Sequence, residues 1–248
     1  MSGMKEISEM TVNGGQKLLI LHADADIVVA VKPAGVESQA SASGSGMVPL
    51  LKNAIGGEIY PVHRLDRETR GVMVYARTAG AASALSEEFR SGLLSKHYLA
   101  VLLGMPDPPE GELSDLLYHD ARRNKSYVVS CSRRGVREAS LSYRVAANDG
   151  ILTLVTIRLH TGRTHQIRVQ FASRGKPVYG DRRYGGKPDR ERWGIDDISV
   201  RGIALACVSL KFRHPGTGET VSFEYAPKGE VWDRFDIAAA TSSLGLIP

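Results

Sequence analysis

The chain has 248 residues, of which 42% are hydrophobic and 24% charged, so it can form the core of one large domain or two small ones. Its net charge of +5 permits a polyanionic partner without requiring one. The polar N-terminus does not resemble a signal peptide, the longest apolar run (151–157) is too short to span a bilayer, and the two cysteines lack metal-ligand spacing. These features predict a soluble cytoplasmic protein without disulfides.

Strands are predicted where apolar residues alternate with polar ones or form short runs between turn signals. In chain order they cover residues 17–22, 27–31, 72–76, 96–103, 140–145, 151–159, 203–212 and 220–225. The pattern predicts one helix over residues 79–91, capped by Thr78, and another from about Thr164 to Gly175. Residues 38–46 are rich in Ser and Gly, which predicts a mobile loop.

Strands outnumber helices, and several are joined by short hairpins. This pattern favours an α+β fold with a largely antiparallel mixed sheet and flanking helices. We expect a flexible leader over residues 1–16, one domain over residues 17–236 and a flexible tail over residues 237–248.

The charged loop over residues 63–71 places Asp66 between Arg64 and Arg67, directly before the strand at 72–76. Catalytic residues are often placed on loops held by core elements. The guanidinium groups favour the ionised form of Asp66, and a charged carboxylate suits a nucleophile. The alternative is a surface loop of mutually neutralising ion pairs.

A second charged cluster covers residues 159–168. Gly162 permits a tight turn into a helix whose N-terminal N–H groups would bind a phosphate or carboxylate. The alternative is an ordinary capped helix with solvated arginines. His165 and Arg168 would share one helix face, leaving the other face to pack.

Glycines, tyrosines and basic residues alternate over residues 175–186, a composition that suits RNA or single-stranded nucleic acid. The alternative is a Gly-rich surface loop, particularly for Asp181.

Four motifs together resemble the RluA-type family of RNA pseudouridine synthases. They lie in the expected order at residues 31–35, 63–71, 96–104 and 159–185, and the resemblance extends from about residue 18 to 228. It implies a pseudouridine synthase catalytic fold, an isomerase activity on ribosomal or transfer RNA, and base flipping. It also implies that neither a metal nor a cofactor is needed. We expect a monomer without membrane contact.

The resemblance implies roles for individual residues. Asp66 matches the nucleophile, Tyr98 the tyrosine that stacks on the target base, and Arg168 the arginine that pairs with the catalytic carboxylate. Arg64 matches the residue inserted where the flipped nucleotide leaves the stack. We assign the candidate RNA contacts to Arg64, Arg67, Arg163 and His165.

Two positions depart from the family pattern. Arg70 stands where serine is usual, and it either contacts RNA phosphate or points outward. The opening motif continues through Ser38 and its neighbours, where a histidine is common. We interpret four further motif residues as holding loop geometry, because side chains that cap turns commonly do so. These residues are Lys32, His63, His165 and Asp181.

Two other classes of function remain open. One is a non-catalytic RNA-binding or ribosome-assembly protein, which the set Asp66, Tyr98 and Arg168 argues against. The other is a glycoside hydrolase, which needs two carboxylates about 5–10 Å apart. Glu68 is the nearest second carboxylate to Asp66 in sequence.

Overall fold

The computed structural model describes residues 8–12, 16–92, 94–185, 202–229, 231–242 and 244. The chain divides into two compact units. The first comprises Met1–Lys96 and Cys207–Tyr225, and the second comprises His97–Ala206 and Ala226–Pro248. The single domain expected over residues 17–236 stays a prediction.

In the first unit the strands follow the order β1-β2-β3-β5-β11-β12, and β4 also pairs with β5. The pairs β1–β2, β2–β3, β3–β5, β4–β5 and β11–β12 are antiparallel. Its strands are β1 (Ser8–Val12), β2 (Gln16–Ala23), β3 (Ile27–Lys32), β4 (Tyr60–Pro61), β5 (Arg70–Ala76), β11 (Leu205–Arg213, from Cys207 onwards) and β12 (Thr220–Glu224). The predicted strands at 17–22, 27–31 and 72–76 and the last hairpin are confirmed. All six residues of β3 are buried, which explains its continuous apolar run.

Two helices belong to this unit, α1 (Met47–Ile55) and α2 (Ala79–Ser91). The predicted bounds of α2 are confirmed: the Thr78 side chain accepts a hydrogen bond from the N–H of Ala81, and Gly92 adopts a left-handed conformation. Ala81 and Leu85 of α2 pack into a core formed with apolar residues of the sheet.

The second unit contains a five-stranded antiparallel sheet in the order β6-β10-β9-β7-β8. Its elements are β6 (Ser95–Leu103), β7 (Glu110–Asp120), β8 (Lys125–Val129), β9 (Val136–Asn148), β10 (Leu152–Leu159), α3 (Gln166–Ser173), a 3₁₀ turn (Trp232–Arg234) and α4 (Ile237–Ser242). The expected hairpin between β9 and β10 is confirmed. Helix α3 is buried from Gln166 through Phe171. That the face of His165 and Arg168 reaches a site stays a prediction.

Both ends of the chain contain regular structure that we did not expect. Strand β1 lies within the predicted flexible leader and pairs with β2. Helix α4 lies within the predicted tail, where Ile237, Ala240 and Leu244 are buried. No helix in the described part of the chain is long and apolar enough to cross a membrane.

Candidate active site

Asp66 lies in a tight turn directly before β5. The N–H of Thr69 donates to the carbonyl of Asp66 at 3.0 Å and closes the turn. Asp66 is partly buried, whereas Arg64 and Arg67 on either side of it are exposed. The turn therefore holds one carboxylate at its centre and leaves two arginines accessible to a partner.

Lys32 anchors this turn from the end of β3. Its Nζ is completely buried and donates to the carbonyls of Pro33 (3.0 Å), Val36 (2.6 Å) and Arg67 (3.0 Å). Burial lowers the pKa of Lys32 to about 7, although the charge of Asp66 acts in the opposite direction. Three carbonyl acceptors match the three N–H groups of an ammonium ion, so Lys32 supports the loop, as the sequence interpretation held.

The segment after Lys32 holds the main chain on both sides of Asp66. Gly35 and Arg67 are joined twice: the Gly35 N–H donates to the Arg67 carbonyl at 2.7 Å, and Arg67 Nε donates to the Gly35 carbonyl at 3.0 Å. The Ser38 hydroxyl donates to the Leu65 carbonyl at 2.8 Å and accepts from the Leu65 N–H at 2.9 Å. The sequence distinguishes Ser38 only as part of the stretch where the opening motif departs from the family pattern, because a hydrogen bond to a residue 27 positions away leaves no local signal.

His63 fixes the start of the charged loop against the core. Its Nε2 accepts a hydrogen bond from the N–H of Val74 at 3.1 Å, and its ring stacks on Phe89 with centroids 4.5 Å apart. Burial holds the pKa of His63 well below its usual range, so the ring is neutral. These contacts support a role in loop geometry. Arg70 is partly buried at the first position of β5 and does not simply point outward.

Arg168 and Asp181 form a buried ion pair in the second unit. Arg168 Nε donates to Asp181 Oδ2 at 2.6 Å, and Nη2 donates to Oδ1 at 3.0 Å. Only 2% of the Arg168 side chain and 1% of the Asp181 side chain are exposed. Asp181 Oδ1 also accepts from the N–H groups of Arg183 and Tyr184. Asp181 therefore fixes the plane of the guanidinium group and is not part of a loose surface loop.

A hydrogen-bond network surrounds this ion pair. The Tyr184 hydroxyl lies 2.9 Å from His165 Nδ1 and accepts from the Ser126 N–H at 2.7 Å, while the Arg168 guanidinium lies over the Tyr184 ring at 5.3 Å. His165 is buried and has a φ of 56°. The left-handed residue of this turn is therefore His165, whereas we expected Gly162 to provide the turn. The RNA contact predicted for His165 stays a prediction.

Gln166 organises the turn that precedes α3. Its Oε1 accepts from Thr161 Oγ1 at 2.8 Å and from the Arg163 N–H at 3.0 Å, and its Nε2 donates to the Ser140 carbonyl at 3.0 Å. The N–H of Arg163 is therefore bonded within the protein, in the turn where we expected an anion receptor. The Arg163 side chain is exposed and donates from Nε to the Glu138 carbonyl.

Tyr98 is buried in β6 and lies opposite Ile157 of β10. The segment that leads to Asp181 pairs with the same strand: the Leu103 N–H donates to the Pro177 carbonyl at 2.9 Å, and the Tyr179 N–H donates to the Val101 carbonyl at 2.8 Å. Strand β6 and helix α3 thus carry Tyr98 and Arg168 within one unit.

One group of described residues has the composition of a metal site. The ligand atoms of His22, Asp24 and His214 lie within 4.8 Å of one another. However, His214 Nδ1 accepts hydrogen bonds from the N–H groups of Gly216 and Thr217, so its proton is on Nε2, which donates to Asp24 Oδ2 at 2.8 Å. A metal-bound histidine normally donates from its second nitrogen, and this one accepts. The arrangement therefore fits a hydrogen-bonded clamp better than a metal site.

Comparison with known proteins decides the family. A family model described as RNA pseudouridylate synthase matches residues 26–173. The chain belongs to the RNA pseudouridylate synthase family. It is therefore an isomerase, as the four sequence motifs implied.

Curated relatives agree with this assignment. An uncharacterized RNA pseudouridine synthase of Aquifex aeolicus (strain VF5) is 34% identical over 216 residues, covering 83% of this chain and 68% of the relative. The ribosomal large subunit pseudouridine synthase D of Vibrio cholerae is 34% identical, with 85% and 67% covered. The ribosomal large subunit pseudouridine synthase C of Escherichia coli (strain K12) is 32% identical, with 86% and 67% covered. The chain thus spans about two thirds of the length of these relatives.

Solved structures agree with the fold. Human RNA Pseudouridylate Synthase Domain Containing 4 matches with a TM-score of 0.68 at 24% identity and covers 91% of this chain and 92% of its own. Human RNA Pseudouridylate Synthase Domain Containing 1 matches with a TM-score of 0.69 at 23% identity, with 88% and 86% covered. The α+β fold of the pseudouridine synthase family is therefore confirmed.

Within this pseudouridylate synthase, the predicted site residues belong to different units. Asp66, Arg64 and Arg67 are part of the first, whereas Tyr98 and Arg168 are part of the second. The pairing of Asp66 with Arg168 that the family resemblance implies stays a prediction.

Proposed function

We propose that this protein converts uridine to pseudouridine in structured RNA, with Asp66 as the nucleophile. One observation carries the proposal: Asp66 lies in a turn whose neighbours Leu65 and Arg67 are both hydrogen-bonded to the segment from Lys32 to Ser38. A nucleophile gains from such fixed geometry because less reorganisation is needed when it attacks.

The names of relatives suggest the substrate. Two of them are named ribosomal large subunit pseudouridine synthases. We therefore favour large-subunit ribosomal RNA over transfer RNA, which would place the reaction in the cytoplasm, where ribosomes are assembled in bacteria. The exposed Arg67 and Arg163 are the proposed contacts to phosphates, and buried His165 would support them. Arg64, also exposed, is the proposed RNA contact at the flipped nucleotide.

The reaction breaks the N-glycosidic bond, turns the base and forms a carbon–carbon bond to the same sugar. Flipping the uridine out of structured RNA costs a few kcal/mol. Arg64 would occupy the gap, and stacking of the base on Tyr98 would contribute about 1–3 kcal/mol. The Asp66 carboxylate would attack the anomeric carbon as in retaining glycosidases. Attack on the uracil ring and formation of a glycal are the alternatives.

The experiment compares total RNA from a strain that lacks the protein with RNA from its parent. Pseudouridines are mapped by carbodiimide labelling and reverse transcription. We expect at least one site to be lost in the deletion strain and restored by the wild-type protein but not by Asp66→Asn. Glu68→Gln is the matched control, because it removes the neighbouring carboxylate of the same loop and should restore the site.

Assays with purified protein distinguish a pseudouridine synthase from a non-catalytic RNA-binding protein and from a glycoside hydrolase. Asp66→Asn should bind transcribed large-subunit ribosomal RNA as tightly as wild type while forming no pseudouridine. Pseudouridine formation by Asp66→Asn would contradict the role of Asp66. RNA binding without turnover by the wild type would favour the non-catalytic RNA-binding function, and release of free uracil would favour a glycoside hydrolase.

A further inference from the structure

Ser38 makes an unusual pair of contacts with the residue before Asp66. Its hydroxyl both donates to the carbonyl and accepts from the N–H of Leu65, at 2.8 and 2.9 Å. Ser38 is 5% exposed and Leu65 is 7% exposed, so water does not readily replace either bond. A buried backbone group that loses its hydrogen-bond partner destabilises the fold, so removal of this hydroxyl should disturb the loop.

These two bonds act on the peptide planes that lead into Asp66. The N–H of Leu65 belongs to the plane between Arg64 and Leu65, and the carbonyl of Leu65 belongs to the plane between Leu65 and Asp66. Because each peptide unit is planar, fixing these two groups fixes the direction in which the chain enters Asp66. The bond from the Thr69 N–H to the Asp66 carbonyl fixes the next plane.

Ser38 is itself held by the core. Its carbonyl accepts a hydrogen bond from the Tyr75 hydroxyl at 3.1 Å, and Tyr75 is completely buried in β5. Burial raises the pKa of Tyr75 well above its usual range, so its hydroxyl stays a donor. The catalytic loop is therefore connected to the strand that follows it through Ser38.

We propose that Ser38 is a positioning residue for the nucleophile, acting through Leu65 on the orientation of Asp66. This inference rests on the proposed role of Asp66. A hydroxyl suits the position because it donates and accepts at the same time, which alanine cannot do and threonine can. Ser38 touches the main chain of the loop and has no role in the bond-making step itself.

The test measures single-turnover release of tritium from C5 of labelled uridine in transcribed large-subunit ribosomal RNA, together with the Kd for that RNA. We expect Ser38→Ala to slow the single-turnover rate about 10–100-fold, because small misplacements of reacting groups have effects of this size. Its Kd should stay within about twofold of wild type, because the change acts on the chemical step. Ser38→Thr should restore most of the rate.

The matched control is Ser43→Ala. Ser43 lies in the same loop, is exposed, and its hydroxyl bonds to those of Ser41 and Ser45. We expect its rate and Kd to equal those of wild type. A wild-type rate in folded Ser38→Ala would overturn the inference. A Kd raised by the same factor as the single-turnover rate is lowered would also overturn it.

Two further variants keep the outcomes distinct. If Ser38→Ala does not fold, Ser38→Cys decides: its thiol is a weak donor and acceptor, so we expect an intermediate rate, and a wild-type rate would overturn the inference. Asp66→Asn tests the proposed function separately. An active Asp66→Asn contradicts the role of Asp66, whereas an inactive Asp66→Asn with a fully active Ser38→Ala contradicts only the positioning role of Ser38.

Discussion

Arg168 and Asp181 face each other through two hydrogen bonds of 2.6 and 3.0 Å, and both side chains are at least 98% buried. A bidentate pair of this kind fixes both the position and the plane of the guanidinium group. It also makes each partner dependent on the other, because a buried charge without its counter-charge is strongly unfavourable.

We predict that Asp181→Leu alone lowers the free energy of unfolding by about 3–5 kcal/mol, because it leaves the Arg168 charge buried and unpaired. The double variant Arg168→Met/Asp181→Leu should recover the part of that loss that comes from the unpaired charge, since apolar residues of similar volume often replace a buried ion pair without penalty. The N–H groups of Arg183 and Tyr184 lose their Asp181 acceptor in both variants. Urea unfolding measures both values. The double variant should nevertheless be inactive, because it lacks the arginine predicted to pair with Asp66. A double variant as unstable as Asp181→Leu would contradict this account.

Gly71, the second residue of β5, provides a prediction about the sheet next to the charged loop. Its φ is 130°, and an added Cβ would lie 2.2 Å from the carbonyl oxygen and 2.4 Å from the nitrogen of Cys207. We predict that Gly71→Ala lowers the free energy of unfolding by about 2–5 kcal/mol, combining overpacking and backbone strain.

Gly80 is the control for that substitution. It lies in the first turn of α2, and nothing is within 4 Å of an added Cβ. Gly80→Ala should raise the free energy of unfolding by about 0.5 kcal/mol, because glycine is a poor helix former. Equal effects of the two variants would show that the contact with Cys207 does not matter.

Much of the fold follows from sequence because its elements carry strong local signals. Helix α2 has a threonine cap, apolar residues at helical spacing and a glycine at its end, and its predicted bounds match the structure. Helix α1 was not predicted. Its first residue, Met47, follows Gly46, which offers no side-chain cap, so the usual sequence signal of a helix start is missing.

The contacts that hold the site are harder to predict, because they join residues that are distant in sequence. The charged loop identifies Asp66, but nothing in the pattern indicates that Ser38 bonds to Leu65 across 27 positions. Arg168 and Asp181 each lie in a motif, yet only the folded chain pairs them. The turn before α3 is a second example. Glycine is the usual residue in the left-handed conformation, but here His165 adopts it, and its ring is hydrogen-bonded to the Tyr184 hydroxyl.

Lys32 leads to a prediction on pH. Burial lowers its pKa to about 7 from the usual 10.5. The unfolded chain therefore binds one more proton at Lys32 than the folded chain between these pH values, and stability must rise with pH in that range. We predict that the free energy of unfolding of wild type, relative to Lys32→Met, rises from about pH 7 to about pH 10. Urea unfolding at several pH values measures this difference. The contributions of the other lysines are the same in both proteins and cancel.

The same variant tests the anchoring role of Lys32. Lys32→Met leaves the carbonyls of Pro33, Val36 and Arg67 without this donor, and we expect a loss of at least about 2 kcal/mol at pH 7. Lys52→Met is the control, because the Lys52 side chain is 39% exposed and forms an ion pair with Glu58. A pH-independent difference between wild type and Lys32→Met would contradict the lowered pKa.

Asp24 leads to the opposite pH dependence. Burial raises its pKa, but hydrogen bonds from His22, from the N–H groups of Ile27 and Asp26 and from His214 outweigh burial and lower it to about 2 from 3.8. A carboxylate with a lowered pKa stabilises the fold above the unfolded pKa and ceases to do so as the pH falls through the folded pKa. We predict that Asp24→Asn costs about 1–2 kcal/mol at pH 7, after allowance for solvent screening, and that the cost disappears between about pH 4 and pH 2.

Glu219→Gln is the control for Asp24, because Glu219 is an exposed carboxylate in the loop that also contains His214. Thermal and urea unfolding measure the free energy of unfolding from pH 2 to pH 7. The Asp24→Asn difference from wild type should change with pH over this range, and the Glu219→Gln difference should not. The measurement also tests the clamp against a metal site. If Zn²⁺ raised the Tm of wild type but not that of Asp24→Asn, then Asp24, His22 and His214 would bind a metal, and the proton assigned to His214 Nε2 would be wrong.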